Sequence, residues 1–255
     1  MRITVCELPD PPSGFEEAWA GLVAHLVGER SELVLLPEMP FHTWLARTPD
    51  PADTAWQAAM ADHDAFQARF PELGGAVVLG SRPTVAGGSR RNEAFVWADG
   101  VYRAIHHKYY LPDEEGWWEA SWYDRGDKTF VAALSPAGPV GMLVCTEVWF
   151  TQHAREYSRQ GAALIATPRA SEWTSREAWL AGGRAAAVMA GAFSLSSNRS
   201  GRDAAGTRWG GLGWVVDPDG DVLATTSEDS PFVTVEVDLA DAAAAKSTYP
   251  RYVPD

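Results

Sequence analysis

Hydrophobic and polar positions along this 255-residue chain switch repeatedly between a period of two and a period near 3.6. "RITVCEL" alternates and reads as a first strand. "FEEAWAGLVAHLVGER" follows with Phe15, Trp19, Leu22, Val23 and Leu26 at helical spacing, and Ser13 stands where a cap is wanted. "ELVLLP" is wholly apolar and stopped by proline, as expected of a strand buried on both faces. Residues 52–70 predict a second amphipathic helix closed by Pro71, and "AVVLGS" another buried strand. "NEAFVWADGVYRAIHHK" carries two alternating runs around Ala98-Asp99-Gly100, a hairpin signal. Residues 109–128 keep no period and are rich in Trp, Glu, Asp and Gly, which predicts a long structured loop.

The second half repeats the alternation. "TFVAAL" and "PVGMLVC" read as strands, 150–160 as a helix, "ALIATP" as a strand, 176–191 as an alanine-rich helix and "AFSLSS" as a strand. "GLGWVVDPDGDVLATT" predicts a second hairpin turning at Pro218-Asp219-Gly220, before the strand "FVTVEVDL" and a short tail helix. No linker or repeat interrupts the pattern, so residues 1–255 read as one α/β domain. A doubly wound parallel sheet has no need of hairpins, whereas a sandwich of two mixed sheets with helices outside does. About a dozen strands also exceed what one open sheet comfortably holds.

Composition narrows the function classes. Hydrophobic residues make up 46% of the chain, ample for a core of this size. A formal net charge of -13 argues against nucleic acid and anionic membrane surfaces as partners. No stretch approaches the roughly 18 apolar residues of a membrane span. "MRITVCELPD" lacks the apolar region of a signal peptide. Two cysteines with no C-x-x-C pair argue against a disulfide framework or structural zinc, and favour a reducing cytoplasm.

Three polar residues close strand-like runs: Glu38 after "LVLLP", Lys108 after "VYRAIHH" and Cys145 after "GMLV". The end of a buried strand fixes the backbone while the side chain faces a crevice. A lone cysteine in an apolar run is ordinarily buried and inert, so the three must be weighed together. Other sites fail: there is no G-x-S-x-G elbow, and His106 and His107 point to opposite faces of a strand. A thiol with a pKa near ~8.5 needs a carboxylate to take its proton or a cation to lower its pKa. Glu38 and Lys108 are of those two types.

The flanks of the three resemble the nitrilase, or carbon–nitrogen hydrolase, superfamily. "LVLLPEMPF", "HHKYYLPDEEGWWEASWYDRGDKTF" and "GMLVCTEVWFTQHAREYSRQGAALIATP" carry its glutamate, lysine and cysteine motifs in order. "LSSNRSG" and "WGGLGWVVDPDGDVLA" are similar to later stretches of the family, so the likeness spans nearly the whole chain. The resemblance implies a four-layer α-β-β-α sandwich that pairs as a homodimer or a higher even oligomer. It also implies a cofactor-free and metal-free reaction with Glu38 as base, Lys108 as electrophilic stabiliser and Cys145 as nucleophile. Glu119 takes the place of the family's second glutamate, and the Thr146 backbone N–H helps hold the oxyanion. The implied substrate is a linear amide or carbamoyl compound that releases ammonia. Acyl transfer, nitrile hydrolysis and a catalytically silent binding protein stay open as alternatives.

Departures matter too. The family has an aromatic residue and aspartate after its cysteine, where this chain has Thr146 and Glu147. Val148 and Trp149 occupy places where members acting on N-carbamoyl amino acids carry arginine. Trp118, Trp149 and Trp173 are expected to line an aromatic-walled pocket, with Glu147 favouring a cationic substrate and Arg169 a carboxylate.

Overall fold

The computed structural model describes residues 1–254. In chain order, β1 (Arg2–Pro9), α1 (Phe15–Glu29), β2 (Leu33–Leu35), α2 (Asp53–Gln67) and β3 (Val77–Ala86) lead into the hairpin β4 (Ser89–Ala98) and β5 (Val101–His107). The long loop follows, carrying the single-turn α3 (Glu119–Trp122). Then come β6 (Ala133–Ser135), β7 (Gly138–Met142), α4 (Thr151–Arg159), β8 (Leu164–Pro168), α5 (Arg176–Ala190) and β9 (Phe193–Ser200). The hairpin β10 (Trp214–Val216) and β11 (Val222–Thr225), then β12 (Phe232–Glu236) and α6 (Leu239–Ala245), complete the chain.

The strands form two sheets with the same internal logic. In the first, ordered β5-β4-β3-β2-β1-β12, the three strands β1 to β3 run parallel and the flanking ones antiparallel. In the second, ordered β6-β7-β8-β9-β10-β11, the strands β7 to β9 run parallel between antiparallel neighbours. A short parallel pairing of Glu7–Pro9 with Asn198–Ser200 joins them. The side-chain period of two sorts each strand between layers. Ile3, Val5, Leu33, Leu35 and Leu79 pack against Val140, Met142, Leu164 and Leu195 of the other sheet. Cys6, Leu8, Val34 and Val78 face Phe15, Trp19 and Leu22 of α1 instead. On the far side, Leu143 and Ile165 pack on Ala154 and Tyr157 of α4 and Ala186 and Ala190 of α5. The result is the expected α-β-β-α sandwich.

Local chemistry moves some boundaries. Gly14, with φ 70°, occupies the N-cap of α1, so Ser13 does not cap it. Pro71 sits inside a separate 3-10 turn (Phe70–Leu73) and does not close α2, which ends at Gln67. "TFVAAL" is a strand only from Ala133. Asp127 captures the amide and hydroxyl of Thr129, and the Gln160 side chain bonds Phe130 O and Ala132 N where a neighbouring strand would. Gly141 lets α4 lie close, because a Cβ there would come 2.5 Å from the Tyr157 ring. Tyr157 then donates its hydroxyl to Met142 O at 2.9 Å.

Candidate active site

Three strand ends meet where the two sheets converge. β2 runs on through Leu36, whose N–H donates to Leu79 O, and Pro37 then directs the chain to Glu38, whose N–H donates to Arg169 O at 3.1 Å. Lys108 directly follows β5, its N–H donating to Asn92 O of β4. Gly126 returns beside it, donating to Lys108 O, at a point where a Cβ would sit 2.2 Å from His107 O. Cys145 opens the 3-10 turn Cys145–Trp149 with φ 49°, a left-handed conformation that few non-glycine residues adopt. Such strain is held only where the surroundings over-determine it.

The side chains form one buried network. Lys108 Nζ donates to Glu38 Oε1 at 2.8 Å and to Glu119 Oε2 at 2.6 Å. All three side chains are fully buried. Asn92 Nδ2 donates to Glu38 Oε1 at 2.8 Å, and the Tyr123 hydroxyl donates to Glu119 Oε2. The backbone of Ala170 links Glu38 to the thiol. Its N–H donates to Glu38 Oε2 at 3.2 Å, and Cys145 Sγ approaches its carbonyl at 3.8 Å.

One ammonium faces two carboxyl groups out of water, and burial and these charges together set the protonation. Burial alone would lower the Lys108 pKa, but Glu119 and Glu38 outweigh it and raise it. Burial, with Glu38 close by, lifts the Glu119 carboxyl to about 7 against the pull of Lys108. Burial likewise raises the Cys145 thiol, and the Glu38 charge adds to it more than Lys108 subtracts. The expected lowering of the thiol by Lys108 is present but is outweighed by burial and by Glu38. The net effect favours the protonated thiol, and burial is its main cause.

Cys145, Thr146 and Glu119 lie at the base of a cavity of about 690 Å³. Trp117, Trp149 and Trp179 form its walls, while Asp113, Glu114, Glu172 and Arg125 stand exposed at its mouth. Trp149 thus lines the cavity as expected, but Trp118 and Trp173 do not. Trp118 packs into the cluster around Trp44 and Trp56, and Trp173 is sandwiched between the guanidiniums of Arg176 and Arg208. Arg169 is fully buried outside the cavity. It donates to Ser196 Oγ, Ser171 Oγ, Gly211 O and Leu212 O, and stacks 4.2 Å from the Trp214 ring centroid. Its donors are consumed in holding loops, which removes it as a carboxylate clamp. Glu147 is also fully buried, and it bonds His106 and two backbone amides rather than facing the cavity.

Sequence reasoning missed Asn92 and Tyr123, which satisfy the two glutamates. It also gave no role to Arg199, which donates to Glu38 O, Met39 O and His42 O and pairs with Asp10. Arg199 thereby pins the turn after Glu38, where Met39 has φ 40°. Asn92 sits between Arg91 and Glu93 ahead of the apolar half of β4, so no local signal set it apart. Among the described residues, no three His, Cys, Asp or Glu side chains gather in a metal-holding arrangement.

Residues 4–247 match the model of the carbon-nitrogen hydrolases. The chain belongs to the carbon-nitrogen hydrolase family. Among curated relatives, the N-carbamoylputrescine amidase of Oryza sativa subsp. japonica is 28% identical over 163 residues. That match covers 57% of this chain and 54% of the rice protein, so this carbon-nitrogen hydrolase spans about half the length of the plant relatives it matches. The deaminated glutathione amidase of Synechocystis sp. (strain PCC 6803 / GT-S) is 26% identical over 227 residues, 85% of this chain and 83% of that one. A carbon-nitrogen hydrolase from Helicobacter pylori G27 shares the fold with a TM-score of 0.88 at 22% identity, covering 99% of this chain and 94% of its own. So does a mutant amidase from Nesterenkonia sp. AN1 carrying the acetamide moiety of fluoroacetamide at its active-site cysteine. Its TM-score is 0.77 at 23% identity, with 96% and 92% covered.

The Glu119 carboxyl gives a testable pH dependence. It keeps its proton to about 7 in the folded chain, whereas an unfolded carboxyl loses it near ~4. Its contribution to stability is full below the unfolded value and is lost as pH rises through 7. Glu119→Gln keeps a carbonyl oxygen for Lys108 and Tyr123 but cannot titrate. Melting temperatures between pH 5 and pH 8 should fall less steeply in Glu119→Gln than in the native protein. Parallel curves would show that Glu119 ionises normally.

Proposed function

We propose that this carbon-nitrogen hydrolase is an amidase that cleaves a linear amide or N-carbamoyl compound through a Cys145 thioester and releases ammonia. The observation that carries the reading is a cavity-facing thiol on a strained turn, beside a buried Glu38–Lys108–Glu119 network. Sγ attacks the carbonyl carbon as Glu38 takes the thiol proton, forming the C–S bond and an oxyanion. The Lys108 ammonium and the Thr146 N–H stabilise that oxyanion, and one such preorganised donor contributes about 3–4 kcal/mol. Collapse breaks the C–N bond, with the Glu38 proton passing to the departing ammonia. Glu38 then deprotonates the water that attacks the thioester, the C–S bond breaks to release the acid, and the proton passes from Glu38 back to sulfur. Glu119 keeps Lys108 aimed and charged throughout. The active-site cysteine adduct of the Nesterenkonia amidase is in keeping with this assignment.

The mouth of the cavity sets three carboxylates, Asp113, Glu114 and Glu172, against the single cation Arg125, above walls of tryptophan. Negative potential and aromatic faces both favour a substrate whose distal end is a cation. N-carbamoylputrescine, for which the rice relative is named, has that character. Ammonia release from N-carbamoylputrescine, butyramide, glutaramate and butyronitrile tests the reading. The carbamoyl amine should have the highest kcat/KM and the anionic glutaramate the lowest, and Cys145→Ser should release none. Activity retained in Cys145→Ser would overturn the mechanism, and a preference for glutaramate would overturn the substrate class.

The protein also acts, on this reading, as a homodimer or higher even oligomer. The C-terminal segment supports it, since Tyr249, Tyr252 and Val253 are exposed while Arg155 of α4 holds Pro250 O and Arg251 O. Light scattering at micromolar concentration should give at least twice the chain mass, and a monomeric mass would exclude it.

A further inference from the structure

We propose that Glu147 and His106 form a buried strut that sets Lys108 against Cys145, making both of them positioning residues of the reaction. The proposal rests on the assignment of Cys145 and Lys108 above. Glu147 Oε2 accepts the N–H of Val144 at 2.8 Å, and the Glu147 N–H donates to Val144 O at 3.1 Å. The residue before the nucleophile is thus clamped from both sides, which helps to hold the left-handed backbone of Cys145. The same carboxylate reaches the lysine arm. Its Oε1 accepts the N–H of Tyr109 at 2.7 Å, and His106 Nε2 lies 2.9 and 3.0 Å from its two oxygens.

His106 and Tyr109 bracket Lys108 in the chain. One carboxylate therefore ties the residue before the thiol to the residues on either side of the ammonium. It contributes nothing to the cavity wall, so its influence on the chemistry is indirect. His106 is itself fixed by a hydrogen bond to the Thr129 backbone and by the Phe130 ring, whose centroid is 4.9 Å away. Three donors converge on two oxygens, an arrangement only a carboxylate satisfies. Glutamine would turn one acceptor into an amino group facing a backbone N–H, and the turn or the arm would have to move.

Misplacement of reacting groups by about 1 Å costs on the order of 100-fold in rate, so the strut should show in Cys145 reactivity. The probe is iodoacetamide, with labelling of Cys145 and Cys6 followed separately by peptide mass spectrometry. Glu147→Gln and His106→Ala should each slow Cys145 alkylation by at least about 10-fold at a temperature where circular dichroism shows them folded. His106→Gln, which keeps a side-chain N–H for Glu147, should return the rate to within about threefold of native. A pair that served only stability would lower the melting temperature of His106→Ala without separating its alkylation rate from that of His106→Gln. Equal rates for those two variants, or a folded Glu147→Gln alkylated at the native rate, would overturn the proposal. Should Glu147→Gln not fold, the two His106 variants decide. Native Cys145 labelling no faster than Cys6 would instead overturn the underlying site assignment, and the strut with it.

Discussion

A fully buried ammonium shared by two buried carboxylates is the interaction on which the rest of this protein depends. Charges taken out of water cost several kcal/mol each unless their geometry is good and their remaining donors and acceptors are met. The fold meets that demand from four stretches of chain. Asn92 of β4, Lys108 after β5, Glu119 and Tyr123 at the two ends of α3, and the Ala170 amide after β8 all converge on one cluster. Two six-stranded sheets, joined where β1 meets β9, bring those stretches to one place.

Burial, with the Glu38 charge added to it, raises the Cys145 thiol against the pull of Lys108. A second buried cysteine gives the comparison: Cys6 is pushed up to about 12, chiefly by burial, with no buried lysine beside it. Cys145 is also raised by burial, yet it opens onto a cavity and has a carboxylate within reach of its neighbouring peptide. On the proposed mechanism, reactivity comes from proton transfer to Glu38 during attack rather than from a standing thiolate.

How much of this was legible in the sequence varies with how far the signal is local. The strands, both hairpins and the sandwich followed from periodicity, because burial on one face or two leaves a period of two or a solid apolar run. Glu38, Lys108 and Cys145 stood out as polar groups ending apolar runs, and the resemblance of their flanks to the carbon–nitrogen hydrolases supplied their expected roles. Side-chain direction just past a strand was not legible. Arg169 follows β8 as Glu38 follows β2, but its guanidinium turns into Ser196 and the loop at Gly211. Trp117 and Trp118 are neighbours, and only backbone geometry decides which reaches the cavity. His106 and His107 were read as pointing apart, and they do: one meets Glu147 and the other Glu93. Their partners are distant in sequence, so no local pattern announces them.

The central claim is that Cys145 carries the acyl group, supported by Lys108. Whole-protein mass spectrometry after brief mixing with N-carbamoylputrescine or butyramide and an acid quench tests it most directly. The account predicts an added mass equal to the substrate less ammonia, located on the Cys145 peptide, decaying with time in water and missing in Lys108→Ala. An adduct on another residue, or substrate turnover in Lys108→Ala at the native rate, would contradict it.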